Sequence, residues 1–186
     1  MASQIGAYFP RTKYYVEPFS GLARTAKYSR SETVILNDKS KLVNEKCRKL
    51  FSNAVITNDD FEECIKKYDS KETFFLIDPP WRMGFYDGIK VREKVTKDNL
   101  RDKKAVKLSV IDRTVKDYLD KLSEILPGIK GTYIITLPLR KKFKAPYEKT
   151  LKDIKPHLFG NYPSSHLYSN RPLKIQIPQI TEFIEC

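Results

Sequence analysis

Short apolar runs alternate with charged stretches along most of the chain: YYV at 14–16, TVIL at 33–36, AVI at 54–56, TFFLI at 73–77 and GTYIITLPL at 131–139. Runs of this length, rich in β-branched and aromatic residues and bounded by turn formers, read as buried strands. Between them the period changes. DKSKLVNEKCRKLF repeats apolar residues at Leu42, Val43, Cys47 and Leu50, and DFEECIKKY sets Phe61, Cys64, Ile65 and Tyr68 on one helical face. LSVIDRTVKDYLDKLSEIL carries Val110, Ile111, Val115, Tyr118, Leu119, Leu122, Ile125 and Leu126 at helical spacing and stops at Pro127-Gly128. After residue 150 the pattern loosens into KPHLFGNYPSSHLYSNRP, and LKIQI and ITEFI then read as a closing pair of strands at the sheet edge. Strands alternating with crossover helices predict an α/β fold: a mostly parallel sheet, helices on both faces and a C-terminal antiparallel strand pair. The 186 residues suit a single domain, 1–186, and show no internal repeat.

Charge changes the picture. Against 23 Asp and Glu stand 35 Lys and Arg, and the net +12 exceeds what solubility needs and predicts a polyanionic partner, nucleic acid first. No apolar stretch approaches a membrane span, and the start, MASQIGAYFP, lacks the features of a secretory signal, so a soluble, cytoplasmic protein is expected. Cys47, Cys64 and Cys186 lack metal or redox spacing and fit free thiols in a reducing compartment. The only histidines, His157 and His166, lie in the loose Pro/Ser/Asn-rich stretch, and no metal site is expected. A P-loop and a serine-hydrolase elbow are both absent from the sequence.

Candidate chemistry gathers at the strand ends. The first run leads into Glu17-Pro18-Phe19-Ser20-Gly21, the second into Asn37-Asp38, the third into Asn58-Asp59-Asp60-Phe61 and the fourth into Asp78-Pro79-Pro80-Trp81. In open parallel sheets ligands bind beyond the carboxyl ends of the strands, so four successive acids there predict a functional cleft. Asp38 and Asp60 also precede helical patterns and suit helix N-caps, a role that can coexist with ligand binding.

The ordered set YYVEPFSGLARTA, VILND, NDDF and FFLIDPPW, within residues 8–88, resembles the Dam-type adenine-N6 methyltransferases, which use S-adenosyl-L-methionine. The resemblance implies a Rossmann-like methyltransferase fold with a seven-stranded sheet. It implies that Glu17, Pro18, Phe19, Ser20 and Gly21 shape the methionine end of the cofactor site, that Asp38 holds the ribose hydroxyls, and that Asp60 faces the cofactor's adenine with Phe61 beside it. Asp78 and the Pro79 carbonyl would then accept the hydrogens of a target amine, with Pro80 stiffening the turn and Trp81 stacking on the extruded base. Ala23 stands where the family has a second glycine, and SQIGAY is all that represents the family's N-terminal cofactor motif.

The spacing leaves no room for an inserted target-recognition domain. Substrate contact is therefore expected from Tyr86, Lys90, Arg92 and Lys94 after the Asp-Pro-Pro-Trp segment, and from the aromatic loop before residue 172. DNA is the first substrate expected and RNA the second, with room for a protein partner that supplies recognition. Alternatives are an RNA adenine methyltransferase, a cap-guanine enzyme like the trimethylguanosine synthases, and an inactive nucleic-acid-binding protein of the same fold.

Overall fold

A computed structural model describes residues 5–79, 115–138 and 165–175. Six strands form one sheet: β1 (Tyr14–Glu17), β2 (Thr33–Asn37), β3 (Val55–Thr57), β4 (Thr73–Ile77), β5 (Thr132–Pro138) and β6 (Ser165–Ser169). Their order is β3-β2-β1-β4-β5-β6; the first five are parallel, and β6 runs antiparallel to β5. Three helices are described: α1 (Lys41–Leu50), α2 (Phe61–Tyr68) and α3 (Val115–Ile125).

Every residue of β4, TFFLI, is buried, as a central parallel strand covered on both faces requires. On one face Val16, Ile35, Phe75, Ile77, Tyr133 and Ile135 pack with Cys64 and Ile65 of α2 and Tyr118 and Leu122 of α3. On the other, Tyr15, Leu36, Phe74, Leu76 and Ile134 pack with Val43 and Cys47 of α1 and with Ile5 and Phe9 of the N-terminal segment. Alternate residues of β1, β4 and β5 thus supply both cores, and helices lie on both faces as the alternation predicts. The ring centroids of Phe9, Tyr15 and Phe74 lie 5.1–5.9 Å apart, so the N-terminal segment is docked on the sheet by aromatic packing. Gly6, the glycine of SQIGAY, lies where a Cβ would come within 2.4 Å of the Tyr28 Cβ, so its role here is close packing.

The described residues hold six of the seven strands expected. The antiparallel partner of β5 is Ser165–Ser169, with Leu167 and Ser169 buried against it. Of the expected closing pair, LKIQI and ITEFI, only Leu173–Ile175 is described, without strand pairing and with Ile175 58% exposed; the rest lies outside the described residues.

The chain runs outward from β1 to β2 and β3, then returns to place β4 on the other side of β1. The strand order therefore reverses between β1 and β4, and the residues following those two strands flank the crevice expected at such a switch point.

Candidate active site

β1 ends on Glu17, a carboxylate that is only 3% exposed. Its Oε1 accepts hydrogen bonds from the Tyr15 hydroxyl at 2.5 Å and the Thr25 hydroxyl at 2.7 Å. Burial pushes its pKa up to about 7; the two hydroxyls pull against that rise, and the negative charge of Asp78 adds to it. Beyond it Pro18 and Ser20 are buried, and Gly21 turns the chain with φ +50°, a conformation natural to glycine. Nothing lies within 4 Å of where a Gly21 Cβ would project, so the backbone faces open space. Ala23 keeps a left-handed φ of 49°, with its methyl buried in the core. Alanine therefore holds a conformation that favours glycine, at a cost of about 1–2 kcal/mol.

Asp38, just past β2, is tied to the Gly21 turn. One carboxylate oxygen accepts from the Gly21 N–H at 3.0 Å and the other from the Ser40 N–H at 2.8 Å. Burial raises the Asp38 pKa, and the Ser40 and Gly21 N–H groups oppose the rise. Asp38 does not cap the following helix. Ser40 does, accepting from the Val43 N–H, because the chain needs two further residues after Asp38 to turn into α1. Behind the turn, the Cys47 thiol donates to the Gly21 carbonyl at 3.3 Å, and burial pushes its pKa up to about 11. Such a thiol is not a nucleophile.

Asp60 does cap its helix, in a capping box completed by Glu63, and its carboxylate also meets the Lys39 ammonium at 3.1 Å. Phe61 follows it and is buried; its ring stacks on Phe19 at 4.9 Å, and Tyr118 of α3 closes on both, 5.8 Å from Phe19 and 5.7 Å from Phe61. The turn after β1 and the start of α2 thus share one aromatic cluster.

Asp78 follows β4 across the switch point from Glu17. Thr136, beside it on β5, donates its hydroxyl to Asp78 Oδ1. Surrounding protein raises the Asp78 pKa by desolvation and the Thr136 hydroxyl opposes the rise, yet the side chain itself is open to solvent. Pro79 is buried, so the segment leaving the sheet is anchored directly after the exposed acid.

The structure therefore gathers Glu17, Pro18, Phe19, Ser20, Gly21, Asp38, Asp60, Phe61, Asp78 and Pro79 at one edge of the sheet. Pro80, Trp81, Tyr86, Lys90, Arg92 and Lys94 lie outside the described residues. Three contributors escape sequence reading: Thr25, Asn37 and Thr136, none of them charged. Thr136 had one visible signal, as the one threonine in the apolar run YIITLPL. Among the described residues no cluster of His, Cys, Asp and Glu could hold a metal ion, and no helix is long and apolar enough to cross a membrane.

No protein-family model matches the sequence, and no curated protein matches it. Solved structures match its fold. An rRNA methylase from Streptococcus thermophilus superposes with a TM-score of 0.53 at 11% identity, over 90% of this chain and 91% of that one. A Streptococcus mutans protein in complex with SAH gives 0.54 at 11% identity, over 90% and 93%. Magnesium protoporphyrin IX methyltransferase from Synechocystis PCC 6803, with bound SAM, gives 0.54 at 9% identity, over 90% and 76%. The chain thus has the α/β fold of S-adenosylmethionine-dependent methyltransferases.

Proposed function

We propose that this chain is an S-adenosyl-L-methionine-dependent methyltransferase acting on the exocyclic amine of adenine in DNA. One observation carries the reading: an exposed Asp78 at the end of β4, accepting a hydrogen bond from Thr136, stands at the switch point beside the Glu17–Gly21 turn. The site fits the cofactor. Gly21 leaves backbone open for close approach, each Asp38 oxygen keeps a lone pair for a ribose hydroxyl, and Phe19 and Phe61 offer an apolar wall beside Asp60. When bound, the cofactor supplies an electrophilic methyl on a positively charged sulfur.

The chain's own task is to make a poor nucleophile attack. Adenine's amine lone pair is delocalised into the ring, and acceptors on its two hydrogens draw it out. Asp78, held by the Thr136 hydroxyl, would be one acceptor and the Pro79 carbonyl the other; acceptors placed before substrate arrives are where electrostatic catalysis gains most. Trp81 would hold the extruded base by stacking.

The RNA reading has an observation of its own in favour, the rRNA methylase among the structures sharing the fold. The deciding experiment transfers tritiated methyl from S-adenosylmethionine to duplex DNA, RNA and free caps, followed by nucleoside analysis. Label in N6-methyladenine from DNA is expected. Label confined to RNA or caps overturns the choice of substrate, and no label in any nucleic acid overturns the enzyme reading.

A further inference from the structure

Asn37, the last residue of β2, is 1% exposed and lies between the turns that follow β1 and β3. Its Nδ2 donates to the Pro18 carbonyl at 3.0 Å and to the Asp59 carbonyl at 3.1 Å. Its Oδ1 accepts from the Thr57 hydroxyl at 2.7 Å and from the Asp59 N–H at 2.9 Å. Both donors and both acceptor directions are in use. This pattern also fixes which way round the amide lies, because the reversed amide would face two carbonyls with its oxygen and an N–H with its NH2. The Asn37 carbonyl in turn accepts from the Ser20 N–H at 2.8 Å. Where parallel strands end, the backbone loses its ladder partners, and buried groups there must pair with something else. One side chain meets that need on both sides of β2.

We infer that Asn37 is a positioning residue for cofactor binding, tying the Pro18 turn to the Asp59 turn and so setting the width of the crevice for the adenosyl group. The inference rests on the S-adenosylmethionine reading above. Its consequences follow from the next residues along the chain. Phe19 follows Pro18, Asp60 and Phe61 follow Asp59, and Asp38 follows Asn37 itself, so every adenosyl-side group lies within one or two residues of an anchored one. Without the amide, the Phe19–Phe61 stack at 4.9 Å and the placement of Asp38 against Asp60 would be ordered only on binding, and that ordering weakens affinity.

The test is calorimetry with S-adenosylhomocysteine on the full chain, well below each variant's melting temperature. Asn37→Ser should raise Kd about tenfold, and in turnover the KM for S-adenosylmethionine should rise more than kcat falls. Thr57→Val, a milder change that removes one donor to Asn37 Oδ1, should raise Kd about fivefold and decides the matter if Asn37→Ser does not fold. The control is Asp69→Ala at the opposite edge of the sheet, where the Asp69 carboxylate accepts from the Lys130 N–H at 3.0 and 3.1 Å and the Gly131 N–H at 3.0 Å. It should lower the melting temperature and leave Kd unchanged. A folded Asn37 or Thr57 variant with wild-type Kd, or an equal loss in Asp69→Ala, overturns the inference while the enzyme reading stands. A wild type that binds no S-adenosylhomocysteine overturns both.

Discussion

Replacing Thr136 with valine removes the hydroxyl that donates to Asp78. The side chains are nearly isosteric, Thr136 is 7% exposed, and valine suits a strand, so the fold should hold and the melting temperature should move by only a few degrees. What is lost is a hydroxyl donated to a carboxylate, a bond worth about 1.5–3 kcal/mol when the acceptor is charged. Asp78 is open to solvent, so water replaces part of that interaction and the low end applies. About 1.5 kcal/mol of lost orientation corresponds to roughly a tenfold fall in kcat. The same hydroxyl lowers the Asp78 pKa, so its removal raises that pKa and moves the acid limb of the kcat–pH profile upward. Cofactor affinity should stay at the wild-type value, because the role proposed for Asp78 is on the target amine. Single-turnover methyl transfer across pH, with calorimetry on the same samples, measures all three. Wild-type kcat and an unmoved acid limb in Thr136→Val would refute the role given to Asp78.

Glu17 makes stability depend on pH in an unusual direction. Its folded pKa of about 7 stands above the ordinary glutamate value, so the native state holds the proton more tightly, and its contribution, full below about pH 4.5, is lost as pH rises through 7. Glu17→Gln keeps an acceptor for Tyr15 and Thr25; denaturant melts should show it gaining on the wild type by up to about 3 kcal/mol between pH 4.5 and 8, and parallel curves would refute the shift. Gly21→Ala places a methyl in open space but at φ +50°, so it should lower stability by about 1–2 kcal/mol without a clash, and a variant as stable as wild type would show that the turn relaxes. Nucleic-acid affinity should fall steeply with salt, and charge reversal at Lys90, Arg92 and Lys94 should flatten the log–log slope by about 0.9 for each duplex-DNA phosphate no longer neutralised; a flat wild-type slope would remove the functional meaning of the +12 charge.

Much of the architecture was legible because parallel strands covered on both faces leave continuous apolar runs, and TFFLI is the plainest case. The runs for β1, β2, β4 and β5 and most of the described faces of α1 to α3 follow from side-chain period, but Leu50 of α1 is 64% exposed and Val55 of the edge strand β3 43%, so period alone overstated burial there. β6 was not legible. HLYS is short and shows no apolar–polar alternation, and its pairing with β5 depends on sequence-distant packing. The acids of the site could be read because charge at the end of an apolar run is conspicuous. The neutral groups that aim them could not: Thr25, Asn37 and Thr136 are ordinary residues in sequence and gain their roles only through partners 8, 19 to 22 and 58 positions away.

Sheet order, more than any one motif, gives the two central carboxylates different characters. Glu17 and Asp78 end adjacent strands, so they repel each other, and in equivalent surroundings they would share that penalty. Their surroundings differ instead. Glu17 lies beneath the Gly21 turn, buried and held by two hydroxyls, and its proton is held up to about pH 7; Asp78 lies one step beyond the end of its strand, exposed, and the Thr136 hydroxyl favours its ionised form against the desolvation that raises its pKa. The negative charge of Asp78 contributes to the rise at Glu17, so the buried acid is the one driven to keep its proton. Two neighbouring carboxyl groups in such different surroundings are the arrangement from which distinct acid and acceptor roles are built, and in the proposed reading Asp78 is the acceptor.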